Sequence, residues 1–297
     1  MTILPSLAIL SFLLFFSQTM GNIGDPIKQL KGCCDKGSKV QGLYHLKLYL
    51  ARFGYLNYQN TPNHTNVEDE KLKYEKFDGE LEFALKSYQK YYHLNTTGIL
   101  DEATVSQMVM PRCGRPDKDT HHHGSKSLHT VSHYKFFPNY PRWPPGKSYL
   151  TYAFAYNFPY NHVPPVVRAF RQWTYATHYF TFGQVNDFSG ADIKVSFERG
   201  NHGDSMNFDG PGGYLAHAYA PTDGRLHYDA DETFSDGPDA VQNVVDLESL
   251  SVHEIGHLLG LDHSADENAS MYAFINPGTI KGLNSDDIQG IKALYRL

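Results

Sequence analysis

The stretch His253-Glu254-Ile255-Gly256-His257-Leu258-Leu259-Gly260-Leu261-Asp262-His263 constrains this chain more than any other. His253 and His257 are four residues apart, so on a helix they lie one turn apart on one face and can reach the same ion. Glu254 adjoins the first of them and can reach water at that ion without becoming a ligand. Gly260 can take the left-handed conformation that ends a helix, and the returning chain then delivers His263. Three imidazoles with a fourth position open make a catalytic zinc site, whereas a structural zinc takes four protein ligands.

A second set of metal-binding residue types lies upstream. His202, Asp204, His217 and His227 supply three imidazoles and a carboxylate, a closed set suited to structural zinc. Between and after them, Phe208-Asp209-Gly210-Pro211-Gly212-Gly213 and Asp229-Ala230-Asp231-Glu232 combine hard oxygen ligands with tight turns, as calcium requires. The chain has 297 residues, enough for about two domains, and its formal charge of −6 excludes a general nucleic-acid binder.

The N-terminal run from Met1 to Phe16 is apolar but short, which fits the core of a signal peptide with cleavage before Asn22. No later apolar stretch is long enough to span a bilayer, so the expectation is a secreted chain without a membrane anchor. Cys33 and Cys34 are adjacent and Cys113 stands alone, which leaves the pairing of the first two open and one thiol to be explained.

Residues 38–108 read as a small helical domain. Val40, Leu43, Leu46, Leu50 and Phe53 recur at helical spacing and Gly54 is a stop; a second helix is expected over 78–92 and a third from Asp101. Residues 117–133 are polar and aperiodic, and read as an exposed linker in which His121–His123 are solvated. Beyond them the period changes. Leu150, Tyr152, Phe154 and Tyr156 alternate as a strand, Pro164-Pro165 opens a helix with Val166, Ala169, Phe170 and Trp173 facing inward, and Ile193, Val195 and Phe197 form another strand. A long helix is expected over 243–259 and a last one from Asn284 or Ser285. Asn63, Asn95 and Asn268 each open an acceptor pattern for N-glycosylation.

On these motifs the chain resembles the metzincin zinc peptidases and, through Ser264 directly after the third histidine, the matrixins. Met271 in Ala269-Ser270-Met271-Tyr272 is similar to that family's Met-turn, although Ala273-Phe274 stand where the family usually begins with Pro. Pro111-Arg112-Cys113-Gly114-Arg115-Pro116-Asp117 resembles the matrixin cysteine switch, with Arg115 as a departure. Residues 76–108 resemble the peptidoglycan-binding-like fold of matrixin pro-domains, and the segment from Lys36 to Leu56 looks most like plant members, which lack a haemopexin domain.

The resemblance implies an α/β catalytic domain with a twisted mixed sheet and a zinc-binding helix, behind an all-helical pro-domain. The expected organisation is a leader at 1–21, a pro-domain at 22–116, an activation linker at 117–133 and a catalytic domain at 134–297. It also implies calcium on Asp209, Asp229, Glu232 and the carbonyls of Gly210, Gly212 and Tyr214. A further calcium uses, in many members, an aspartate placed like Asp192, but the accompanying Gly-Gly-Asp loop is absent here. Cys113 would fill the fourth zinc position, with Arg112 and Asp117 paired to hold its loop. After cleavage the new ammonium near Tyr134 would pair with Asp286 or Asp287. The expected function is a secreted, monomeric, zinc-dependent endopeptidase, latent until an activating protease cuts the linker. It would hydrolyse extended segments of extracellular proteins laid beside residues 213–220, with Glu254 as general base. The alternative is a non-catalytic extracellular or cell-wall binding protein of the same fold.

Overall fold

The computed structural model of the chain describes residues 24–57, 75–118 and 133–297. The expected leader, Asn63, His121–His123 and most of the linker lie outside the described residues.

Among the described residues the N-terminal unit holds four helices: α1 (Gly24–Gln29), α2 (Leu43–Arg52), α3 (Gly79–Tyr91) and α4 (Glu102–Met108). Capping residues fix two of their starts. Asp78 accepts from the Leu81 amide and Asp101 from the Thr104 amide, each satisfying a backbone donor that the first turn leaves free. Apolar residues at helical spacing then close one core, in which Leu43, Leu46, Leu50, Leu81, Ala84 and Leu85 are fully buried. Cys33 and Cys34, on the α1–α2 connection, are joined in a disulfide, which leaves Cys113 as the free cysteine.

The C-terminal unit is built on a five-stranded sheet of β2 (Tyr149–Phe154), β3 (Thr181–Gln184), β4 (Ile193–Glu198), β5 (Ala216–Ala218) and β6 (Arg225–Asp229). Its order is β3-β2-β4-β6-β5, and all pairs are parallel except β5 with β6. Helix α5 (Val163–Thr177) buries Val166, Ala169, Phe170 and Trp173, as their spacing predicts. It packs against α6 (Leu247–Leu258), where the Trp173 indole donates to the carbonyl of Val252 at 2.9 Å. The last helix, α7 (Ser285–Tyr295), starts on a capping box formed by Asn284 and Asp287.

Two expectations need correction. The strand read to Tyr156 ends at Phe154, and Tyr156 stands fully exposed beyond it. The long helix starts at Leu247 rather than 243. Val245–Asp246 (β8) instead pair with Phe234–Ser235 (β7), and the Asp246 side chain caps the helix by accepting from the Ser249 amide at 2.7 Å. The proline-rich region after residue 133 also contributes a strand that its composition concealed, since Lys135–Phe136 (β1) pair with Leu261–Asp262 (β9).

Helix α6 ends as the sequence requires. Gly260 has φ of +104°, and a Cβ there would lie 2.6 Å from the carbonyl oxygen of Pro141 and 2.7 Å from Leu294. Gly260→Ala is therefore expected to destabilise the chain by about 1–3 kcal/mol, from left-handed strain and overpacking together. Thermal melting should show a fall of roughly 2–4 °C for each kcal/mol.

Candidate metal centre and cleft

Cys113, His253, His257 and His263 come together as one buried group whose candidate ligand atoms all lie within 4.8 Å of one another. The tautomers of two histidines are fixed by carbonyls. His253 Nδ1 lies 2.7 Å from the Ser270 carbonyl and His257 Nδ1 lies 2.8 Å from that of Leu261, so both must donate there. Their Nε2 lone pairs then face each other at 3.1 Å. Burial holds both imidazoles well below their usual pKa, so a proton is a poor bridge between them.

A zinc ion fits the arrangement. With Zn–N near 2.0–2.1 Å, the edge of a tetrahedron is about 3.3 Å, and an edge to sulfur is about 3.5 Å. The Cys113 sulfur is 3.5 Å from His257 Nε2, and His263 Nε2 is buried without a hydrogen-bond partner. Burial, and next the nearby Glu254, push the Cys113 thiol well above its ordinary range. A bound cation would reverse that and favour the thiolate.

Glu254 is fully buried, and neither carboxylate oxygen has a hydrogen-bond partner. Burial pushes its pKa up to about 8, against smaller opposing effects of Cys113 and Arg115. Below the histidines, Met271 reaches so close to Gly256 that a side chain at 256 would strike its sulfur. Met271 thus lies under the helix, as the Met-turn resemblance implies.

The segment 111–114 runs through the cleft as an extended strand. The Arg112 amide donates to the Gly213 carbonyl, the Leu215 amide to Arg112 and the Gly114 amide to Ala216. On the other side, the Cys113 amide donates to Ala273 and the Ile275 amide to Pro111. Residues 213–216 therefore present a strand edge able to pair with added backbone, within the region predicted for substrate. The regular strand there is only Ala216–Ala218.

Arg112 and Asp117 pair at 2.5 Å, and their side chains are 1% and 0% exposed. The resemblance implies that this pair holds the loop, and an exposed pair would contribute little to that. Instead the guanidinium lies 3.4 Å from the ring centre of Phe53 and 4.9 Å from that of Phe274. Asp117 also accepts from the hydroxyls of Tyr55 and Tyr92 at 2.8 and 2.7 Å. Burial alone would raise the Asp117 pKa, but Arg112 and then His263 hold it well below the usual carboxylate range. These aromatic partners were not foreseen. Their only trace in the sequence is the density of Tyr and Phe at 49–55 and 88–92.

The second set also converges. His202 Nε2 is 3.4 Å from His217 Nε2, which is 3.2 Å from His227 Nδ1, and one oxygen of Asp204 lies 3.0–3.1 Å from all three. These spacings again match tetrahedral edges of about 3.3 Å. Burial lowers the His217 pKa to about 4, so His217 meets the others neutral.

Beside it, burial raises Asp209, Asp229 and Glu232 to about 7 each; repulsion from Asp229 adds to the rise at Asp209, and repulsion from Asp229 and Asp209 adds to it at Glu232, while Arg199 opposes it at Asp229. Asp209 and Asp229 each keep one buried oxygen without a partner. The acidic trio thus suits a hard cation, although it does not form as tight a cluster as the two zinc-type groups. Asp192 is different. Its oxygens are taken by Lys147 and by the amide and hydroxyl of Thr151, so it is already neutralised.

The two aspartates expected to receive a new ammonium have different partners. Asp286 accepts from the amides of His133 and Tyr134 and from the Ser264 hydroxyl, whereas Asp287 is occupied by the amides of Asn284, Ser270 and Met271. Asn95 and Asn268 are both exposed.

A helix-borne histidine pair beside an unpaired carboxylate, opening on a strand edge that pairs with peptide backbone, belongs to the zinc metallopeptidases. Comparison with known proteins gives the family. The matrixin model matches residues 142–296 and a peptidoglycan binding domain matches residues 40–108. Metalloendoproteinase 1 of Glycine max is 43% identical over 87% of this chain and 83% of its own length. Metalloendoproteinase 5-MMP of Arabidopsis thaliana is 42% identical over 94% and 78%. Matrilysin of Homo sapiens is 37% identical over 72% and 76%. The chain belongs to the matrixin family. It is a zinc metalloendopeptidase carrying a helical pro-domain, and no helix among the described residues is long and apolar enough to cross a membrane.

Proposed function

We propose that His253, His257 and His263 hold the catalytic zinc, that Glu254 is the general base, and that Cys113 keeps the site closed until the pro-segment is removed. The observation that carries this reading is the pair of Nε2 lone pairs facing each other at 3.1 Å, with both tautomers fixed by carbonyls. Such a contact is repulsive unless a cation lies between them. A zinc ion supplies Lewis acidity to polarise a peptide carbonyl and brings water to ionise near neutral pH. Glu254 accepts the proton of the attacking water and returns it to the departing amine. Its carboxylate is buried beside the zinc ligands and has no hydrogen-bond partner to give up in either step. The edge at residues 213–216 aligns the substrate backbone, and the pro-segment occupies that place in the latent chain.

The same reading takes 1–21 as a secretory leader, 22–116 as the pro-domain, 117–133 as the activation linker and 134–297 as the catalytic domain. The substrates are extended segments of extracellular proteins, and the enzyme acts as a monomer. Asn95 and Asn268, being exposed, are acceptors for glycans. Cleavage in the linker creates an ammonium near Tyr134 that pairs with Asp286. His202, Asp204, His217 and His227 hold a structural zinc. Asp209, Asp229, Glu232 and the carbonyls of Gly210, Gly212 and Tyr214 hold a calcium. Lys147 takes the place of a further cation at Asp192.

Hydrolysis of a quenched peptide tests the reading. The intact chain should be inactive, the chain nicked in the linker active, and a zinc chelator should abolish the activity. A nicked, zinc-loaded protein inert across a varied peptide library would refute it in favour of a binding role.

The calcium site makes a separate, pH-dependent prediction. Without calcium, Asp209, Asp229 and Glu232 titrate near 7 in the folded chain, against about 4 when unfolded. Between those values the folded chain binds more protons, so the stability of the calcium-free protein falls as pH rises through the window. Calcium should remove this dependence. Melting temperatures at pH 5 and pH 8, each with calcium or chelator, check it. The expected result is a calcium effect that is large at pH 8 and small at pH 5.

A further inference from the structure

The three histidines of the zinc site differ in where they find the acceptor that orients them. His253 and His257 donate from Nδ1 to the carbonyls of Ser270 and Leu261, both in the C-terminal unit. His263 Nδ1 instead lies 3.1 Å from Asp117 Oδ1, in the pro-segment. Both residues are buried, with side chains 0% exposed. Asp117 is paired with Arg112 at two points and receives two tyrosine hydroxyls, so it meets His263 only as an acceptor. The imidazole must therefore carry its proton on Nδ1, which leaves Nε2, the nitrogen without a partner, as the free donor to a metal.

We propose that Asp117 is a positioning residue for the zinc ligand His263 in the latent enzyme. The pro-segment then grips the metal twice, directly through Cys113 and indirectly through Asp117, which fixes the ring and tautomer of His263. Both grips leave together on activation. An ionised carboxylate also makes the imidazole behind it a stronger donor, so the latent site holds zinc more tightly than the mature one for two separate reasons. The aspartate six positions after Pro111 thereby acquires a role beyond neutralising Arg112. This inference rests on the zinc reading of the site.

The test uses the full chain, wild type and with Asp117→Ala or the conservative Asp117→Asn, each with zinc content measured first. The rate of zinc transfer to a colorimetric chelator is then followed. Loss of an orienting partner of this kind lowers metal affinity by about 10–100-fold, and transfer from Asp117→Ala should accelerate accordingly. Asp117→Asn, which keeps an acceptor without the charge, should lie between. The specific readout is proton–nitrogen NMR of the histidine rings. Wild type should show slowly exchanging Nδ1 protons on all three ligands, and Asp117→Ala should lose or shift that of His263 alone. A His263 Nδ1 proton unchanged in Asp117→Ala, or equal disturbance of all three histidines, would overturn the proposal. A wild-type chain without stoichiometric zinc would overturn the underlying zinc reading instead.

Discussion

Glu254→Gln is expected to lower kcat/KM of the activated enzyme by about 10²–10⁴-fold, the usual contribution of a general acid–base group. Bound zinc should be unchanged. The substitution keeps the shape of a buried side chain whose oxygens have no partner to lose, so folding should suffer little. A KM shift without a fall in kcat would mean that Glu254 contacts substrate rather than moving protons. The acidic limb of the pH–rate profile should also report this group. In the closed chain it titrates at about 8 because it is buried, and the cation that arrives in the loaded site must lower that value. Below its pKa the base is protonated and activity falls.

The second large effect is expected at the other end of the same site. Cys113→Ser in the intact chain should give peptidase activity without cleavage of the linker, raised at least about tenfold over wild type. Each 1.4 kcal/mol removed from the closed state is worth about a factor of ten in the open population. Arg112→Ala should act in the same direction by another route. It leaves Asp117 ionised and buried without its countercharge, and breaking a buried pair from one side costs about 3–5 kcal/mol. Alkylation of Cys113 by iodoacetamide checks the second route. The thiol is fully buried in the wild type and should become reactive in Arg112→Ala.

Much of the site was legible because its determinants are local. His253, Glu254 and His257 are fixed by helical periodicity and His263 by one glycine, and caps such as Asp78, Asp101 and Asn284 announce helix starts within a residue. What escaped was whatever depends on contact between units far apart in sequence. Nothing near Arg112 foretells that Phe53 and Phe274 will close over it, or that Tyr55 and Tyr92 will reach Asp117. The two-residue strands at 135–136 and 245–246 escaped for a related reason. They have too few residues for periodicity and exist only through their partners at 261–262 and 234–235. That Asp286 and Asp287 take different partners likewise depends on where each side chain points, which adjacent positions on one helix do not disclose.

The aromatic setting of the Arg112–Asp117 pair bears on how inhibition can be borrowed from this molecule. A short synthetic copy of residues 111–117 would carry the sulfur, the guanidinium and the carboxylate, but not the surface that organises them. Tyr49, Phe53, Tyr55 and Tyr92 belong to helices and turns that exist only when the N-terminal unit is folded. The free heptapeptide would have to order its own ion pair in water, at an entropic cost that the intact chain meets during folding. The potent inhibitor is therefore the globule and not the motif. Added in trans to the mature enzyme, the folded unit should outcompete its own heptapeptide by a wide margin.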